Sequence, residues 1–202
     1  PVWSELGATS VARYRNLEKA AGIGFFDEIG YTRIHHDEAV VERSANHALR
    51  FSGKRPEVMS GDEANERFPF FHFEPGETIG YQPKDAGRIN PRGYVDAMST
   101  VAASNGAEII DDHAVEMIVR DDGVRVHTAG GQTLLCERVI VATGAYSTFD
   151  NLLPILLPLH VRGRTIVMVP VDDVTLSDLN GMPSVGCHPG DGRVRTYWHP
   201  PV

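Results

Sequence analysis

The chain has 202 residues, 42% of them hydrophobic and 23% charged, and 19 Lys and Arg stand against 27 Asp and Glu for a net charge of −8. That balance is too apolar for a disordered chain and too acidic for a protein held to nucleic acid by counterion release. The greasiest stretch, NLLPILLPLHV from Asn151 to Val161, carries two prolines, so neither a membrane span nor a signal peptide is expected. Two cysteines, Cys136 and Cys187, make no disulfide framework, and a reducing cytoplasm is the expected compartment.

In chain order, VARYRNLEKAA (Val11 to Ala21) has the spacing of a helix, with Gly22 as its stop. GFFDEIGYTRI then predicts two short strands around a tight turn near Glu28 to Gly30. A second helix is expected over Asp37 to Phe51, with Asp37 and Glu38 at the end where the helix dipole favours anions. Ser60 and Glu63 have capping-box spacing, which predicts a short helix to about Arg67, ended by Pro69. The stretch from Phe68 to Gly87 is aromatic and turn-rich, and reads as irregular. Asn90-Pro91 is a cap followed by a first-turn proline, and it starts the clearest helix, closed by Gly106.

A dense run of strands follows. Glu108 to Ile110 is one; Ala114 to Arg120 and Gly123 to Thr128 form a hairpin across Asp121-Asp122. Thr133 to Cys136 comes next, and then Arg138 to Ala142, whose apolar run Val139-Ile140-Val141-Ala142 suits a strand buried on both faces. Thr165 to Val171 and Arg193 to Trp198 are the last expected strands, with a loop between them.

A buried strand that ends in small residues is where α/β folds place ligands, just past the carboxyl end of the sheet. Thr143-Gly144 has that character. The usual partner is a first strand running into Gly-x-Gly-x-x-Gly, and the sequence has only a near-miss, Gly22-Ile23-Gly24-Phe25-Phe26-Asp27, which lacks the third glycine and follows a helix. The chain also opens on Pro-Val-Trp and closes on Trp-His-Pro-Pro-Val, so it reads as a segment of something longer.

Four stretches in order give a resemblance: VARYRNLEKAAGIGFFDEIGYTRI, MSGDEANERFPFF, AGRINPRGYVDAMSTVAASNGAEI, and VEMIVRDDGVRVHTAGGQTLLCERVIVATGAYS followed by LLPLHVRG. Together they resemble the middle section of the D-amino-acid oxidase/sarcosine oxidase (glycine oxidase-like) family of FAD-dependent oxidoreductases. The resemblance implies an internal fragment without the N-terminal Gly-rich loop and the C-terminal part. Its fold class would be α/β, with α+β character in the substrate part: a piece of the three-layer FAD/NAD(P)-binding fold beside a mixed or antiparallel substrate sheet. Residues 1–85 would belong to the substrate domain, 86–150 to the FAD-binding domain, and 151–202 would return to the substrate sheet. The implied activity is oxidation of a secondary amine or amino acid (sarcosine, glycine or D-amino-acid type) by hydride transfer to flavin. FAD would be bound in the full-length protein and weakly or not at all by this fragment, which would itself be inactive. Alternatives left open are a flavin dehydrogenase of the glycerol-3-phosphate type and a non-catalytic module of the same fold.

The resemblance places Val115 where the family grips the adenine end of FAD through backbone groups, or else as an ordinary core valine. It assigns Ala142, Thr143, Gly144 and Ala145 to close approach of the dinucleotide, which small residues permit, or else to a structural turn with no ligand. Arg162 matches the family's Arg-Gly return and could clamp a carboxylate or simply be solvated. Tyr197 and His199 share one strand face and are expected to line the substrate side, as a carboxylate donor and a modulator of the amine's charge, or to be plain packing residues. No catalytic residue is assigned. The implied partner is a small amine or amino acid, with no nucleic acid. No metal site is expected: His35-His36 point different ways, and Cys187-His188 with Asp191 lack ligand spacing.

Overall fold

A computed structural model describes residues 2–148, 152–153, 155, 157–163, 165–187 and 196–201. The chain falls into two compact units, residues 1–107 with 170–202, and residues 108–169.

The first unit begins with helix α1 (Val2–Ala21), nine residues longer at its start than the periodicity predicts. Strand β1 (Phe26–Asp27) pairs antiparallel with β5 (Arg88–Ile89). Helix α4 (Pro91–Ser104) starts where Asn90 accepts backbone N–H bonds from Arg92 and Gly93. The buried side of this corner is aromatic: Phe25, Phe26 and Ala97 pack with Tyr14, Leu17 and Tyr94. Glu18 ties α1 to it by accepting the backbone N–H groups of Phe25 and Phe26, each at 2.8 Å. Those two bonds hold its carboxyl below the usual carboxylate range, with the neighbouring Arg15 adding to the effect.

Strands β2 (Tyr31–His35), β3 (Glu57–Ser60), β4 (Thr78–Gln82), β9 (Ser184–Cys187) and β10 (Thr196–Trp198) form one sheet in the order β10-β9-β2-β4-β3. The β2–β9 pairing is parallel and the others antiparallel. Alternation along β2 sends Thr32 and Ile34 one way and Tyr31, Arg33 and His35 the other. On the first face Ile34, Ile79 and Val185 pack under Phe68 and Phe73 and Ala64 of helix α3 (Gly61–Arg67). Burying a side chain such as Phe73 contributes about 2–3 kcal/mol. Asn65 fastens the covering loop, accepting from Phe73 N at 2.8 Å and donating to its carbonyl at 3.0 Å. On the second face lies helix α2 (Glu38–Ser52), capped by Asp37 and ended by Gly53 in the left-handed region. Val41 of α2 sits so close to Gly80 that an added Cβ would meet Val41 Cγ1 at 3.0 Å.

The second unit is an antiparallel sheet of β6 (Ala114–Arg120), β7 (Gly123–Thr128) and β8 (Thr133–Cys136). Val126, Thr128 and Leu152 are the unit's buried residues among those described. Asp112 braces the β7–β8 turn by accepting from Gly130 N.

The capping box at Ser60–Glu63, the cap at Asn90, and the hairpin across Asp121-Asp122 stand where the sequence places them. Other expectations fail. The irregular stretch 68–87 holds β4, whose Ile79 and Gly80 are buried at the centre of the large sheet. The loop expected before Trp198 holds helix α5 (Asp173–Asp178) and β9, a buried strand whose Ser and Gly give little strand signal. Glu108–Ile110, Val139–Ala142 and Thr165–Val171 are not strands, because none has a ladder partner among the described residues. Of the last expected strand, 196–198 is observed and 193–195 lies outside the described residues. Among the described residues no helix is long and apolar enough to cross a membrane.

Candidate functional site

In the second unit, Val115 falls at a β-bulge. Ala114 pairs with Thr128 and Glu116 with His127, which leaves Val115 as the extra residue. Among the described residues strand β6 is an edge, so one row of its backbone donors and acceptors meets no neighbouring strand there. Val115 is 36% exposed.

Val139 to Thr143 carries no ladder, and Ile140 is 93% exposed instead of buried on both faces. The chain then closes into a 3-10 turn over Gly144–Thr148. Gly144 has φ 54°, and an added Cβ would find open space, so its backbone conformation, not crowding, is what asks for glycine. Tyr146 N donates to Thr143 O at 3.0 Å, and the Thr143 and Ser147 hydroxyls lie 2.7 Å apart. Ala142, Thr143, Gly144 and Ala145 are all exposed. Small side chains around a left-handed glycine leave the backbone open to close approach, and this fits the dinucleotide end of FAD.

In the first unit, Tyr197 stands opposite Gly186, and Gly186 stands beside Arg33 on the next strand. Tyr31 pairs with Ser184 two positions along, so Tyr31, Arg33, Ser184 and Tyr197 share one sheet face. His199 continues that register just past β10, its Nδ1 2.8 Å from the Ser184 hydroxyl. Burial, and then the nearby positive charge of Arg88, push the His199 ring below its ordinary value. Both effects favour its neutral form. Burial pushes the Tyr31 hydroxyl up, against the opposing pull of Arg33. The structure thus brings Tyr197 and His199 together on one polar face. Arg162 belongs to the other unit, exposed on a stretch without helix or strand, and its neighbour Arg164 lies outside the described residues.

The sequence reading passed over Tyr31, Arg33 and Ser184. A charged residue in the middle of YTRI was the available signal, since alternation alone places Arg33 with Tyr31. Ser184 had none, because its strand was hidden in a loop-like composition. Among the described residues no three His, Cys, Asp or Glu side chains gather as a metal site; His188 and Asp191 lie outside them.

The sequence profile described as FAD dependent oxidoreductase matches residues 1–201. No curated protein matches the chain. Among solved structures, glycine oxidase from Bacillus cereus is 22% identical at TM-score 0.55, over 72% of this chain and 41% of that one. NikD, an unusual amino acid oxidase essential for nikkomycin biosynthesis, is 25% identical at TM-score 0.55, over 72% of this chain and 37% of its own. Fructosyl amine: oxygen oxidoreductase (Amadoriase I) from Aspergillus fumigatus is 18% identical at TM-score 0.59, over 91% of this chain and 44% of its own. The chain therefore spans less than half the length of each of these three solved structures. It belongs to the family of FAD dependent oxidoreductases.

Proposed function

We propose that this member of the family works within a longer protein that oxidises an amino acid or secondary amine at the carbon beside nitrogen. In this reading residues 86–150 serve the cofactor side, and 1–85 with 151–202 serve the substrate side. Flavin, when bound, supplies the hydride acceptor. The chain's own residues bind and orient. Backbone groups of Val115 on the open edge of β6 take the adenine end, and Ala142 to Ala145 let the dinucleotide come close to the main chain. The Tyr197 hydroxyl donates to the substrate carboxylate. His199, neutral beside Ser184, places no positive charge near the substrate amine.

One observation carries the reading: an apolar run, with Ile140 93% exposed, leads into a small-residue turn where Gly144 has φ 54°. A partner strand would cover such a run, and a dinucleotide would fill the open end. The names of similar proteins, which include a glycine oxidase and an amino acid oxidase, support the substrate class. The test is an oxidation assay on the full-length flavoprotein with sarcosine, glycine and D-alanine, against glycerol 3-phosphate. Peroxide from an amine is the expected result; flavin reduction by glycerol 3-phosphate alone overturns it. The 202-residue chain itself is expected to show no micromolar FAD binding in isothermal titration, because its sequence has no glycine loop to seat the pyrophosphate at a helix start.

A further inference from the structure

Helix α2 does not fill the sheet face it covers. Between them lies a cavity of about 100 Å³, lined on the sheet side by Tyr31, Arg33 and Gly80 and on the helix side by Val41, Ser44 and Ala48. We propose that this cavity is a binding site for a small monocarboxylate, anchored by Arg33. The cavity lies on the sheet face that also carries Tyr197, and it does not depend on the flavin reading.

Arginine is the first argument. Arg15, Arg55, Arg67 and Arg88 each pair with a carboxylate. Arg33 pairs with none among the described residues, although it sits in the middle of a sheet under a helix. Its Nη1 donates to the Ser44 hydroxyl at 2.7 Å, and its Nε–H is buried without any acceptor. A sheltered cation with an unmet donor is costly, and a bound anion relieves both defects at once.

The walls narrow the class of anion. Arg33 is the one charged residue among those lining the cavity, so a single negative charge balances it. Ser44 already accepts from Arg33, which turns its own hydroxyl hydrogen toward another acceptor. The Tyr31 hydroxyl, kept protonated by burial, is a second neutral donor. A carboxylate has the lone pairs for these donors and for the guanidinium fork. Val41, Ala45, Ala48 and Pro56 make an apolar wall beside the neutral Gln82, which suits a methyl or ethyl tail better than a second charged group. The volume exceeds the roughly 30 Å³ share of one water and excludes a large ligand. At a net charge of −8 the chain repels anions in general, so retention here comes from the built site.

The experiment is an NMR titration of the full chain with sodium acetate, and with sodium chloride at matched ionic strength. The Arg33 Nε–Hε resonance is expected to move saturably with acetate and not with chloride. Arg33→Gln should weaken acetate binding on the order of tenfold or more, the usual scale for losing a charged hydrogen-bond partner. Ala48→Leu, which fills the cavity and keeps the arginine, should abolish it. The proposal is overturned if the Arg33 signal ignores acetate, if chloride reproduces the shift, or if acetate binds Ala48→Leu as it binds the native chain. Should Arg33→Gln not fold, the native resonance and Ala48→Leu decide the matter on their own.

Discussion

The two units spend their apolar residues differently. Residues 1–107 with 170–202 bury theirs: Ile34, Ile79, Val185, Phe68 and Phe73 close around a sheet covered on both faces. Residues 108–169 leave theirs outside, with Leu135, Ile140, Ile166, Val167, Met168 and Val169 all largely exposed. Both are rich in β-branched residues, so local composition does not separate them. What separates them is whether a second layer exists to receive the side chains. A sequence that suits burial, lying exposed, marks a surface meant to be covered.

The comparison breaks first at the core. Ile79→Ala should destabilise the chain by about 3 kcal/mol, the usual cost of a buried large-to-small change, read from a chemical denaturation midpoint. A loss near zero would mean that the first unit is no better packed than the second. Next in size, Gly87→Ala drives a methyl group onto the Asp27 carbonyl and should cost about 1–3 kcal/mol, because the β1–β5 pairing must part to admit it. Ser60→Ala removes the cap that holds Glu63 N and should cost about 1 kcal/mol in the same assay.

Glu18 sharpens the comparison through pH. Its folded carboxyl lies below the usual range, so its contribution is fully present above the unfolded value and is lost as pH falls through the folded one. Glu18→Gln should flatten that part of an acid-unfolding profile while leaving the neutral and alkaline sides parallel. The smallest effect belongs to the second unit: Ile140→Ser should shift the midpoint of this chain by no more than about 0.5 kcal/mol, as exposed substitutions do. A large loss there would show that the run is already packed.

Much of this was legible beforehand. Helix ends were, because Ser60, Asn90 and Gly106 state their roles through local chemistry that needs no tertiary partner. The Asp121-Asp122 hairpin was too. The central strands were not. Strand β4 hides among prolines and glycines, and β9 reads Ser-Val-Gly-Cys, so each is a strand only because neighbours on both sides complete its ladder. The same logic ran backwards at Val139–Ala142, where ideal strand residues have no ladder partner among the described residues and form no strand. Of the candidate site, Tyr197 with His199 followed from alternation; Ser184 beneath the imidazole did not, since a contact across strands is invisible until register is known.

The parallel seam between β2 and β9 has a consequence for biosynthesis. Tyr31 waits for Ser184, so a nascent chain holds one flank of β2 unpaired until the whole intervening segment has been made. During that interval the half-built sheet offers a sticky border to other chains. Slow synthesis would lengthen the exposure, and a chaperone that shields the border would be felt as yield rather than as stability.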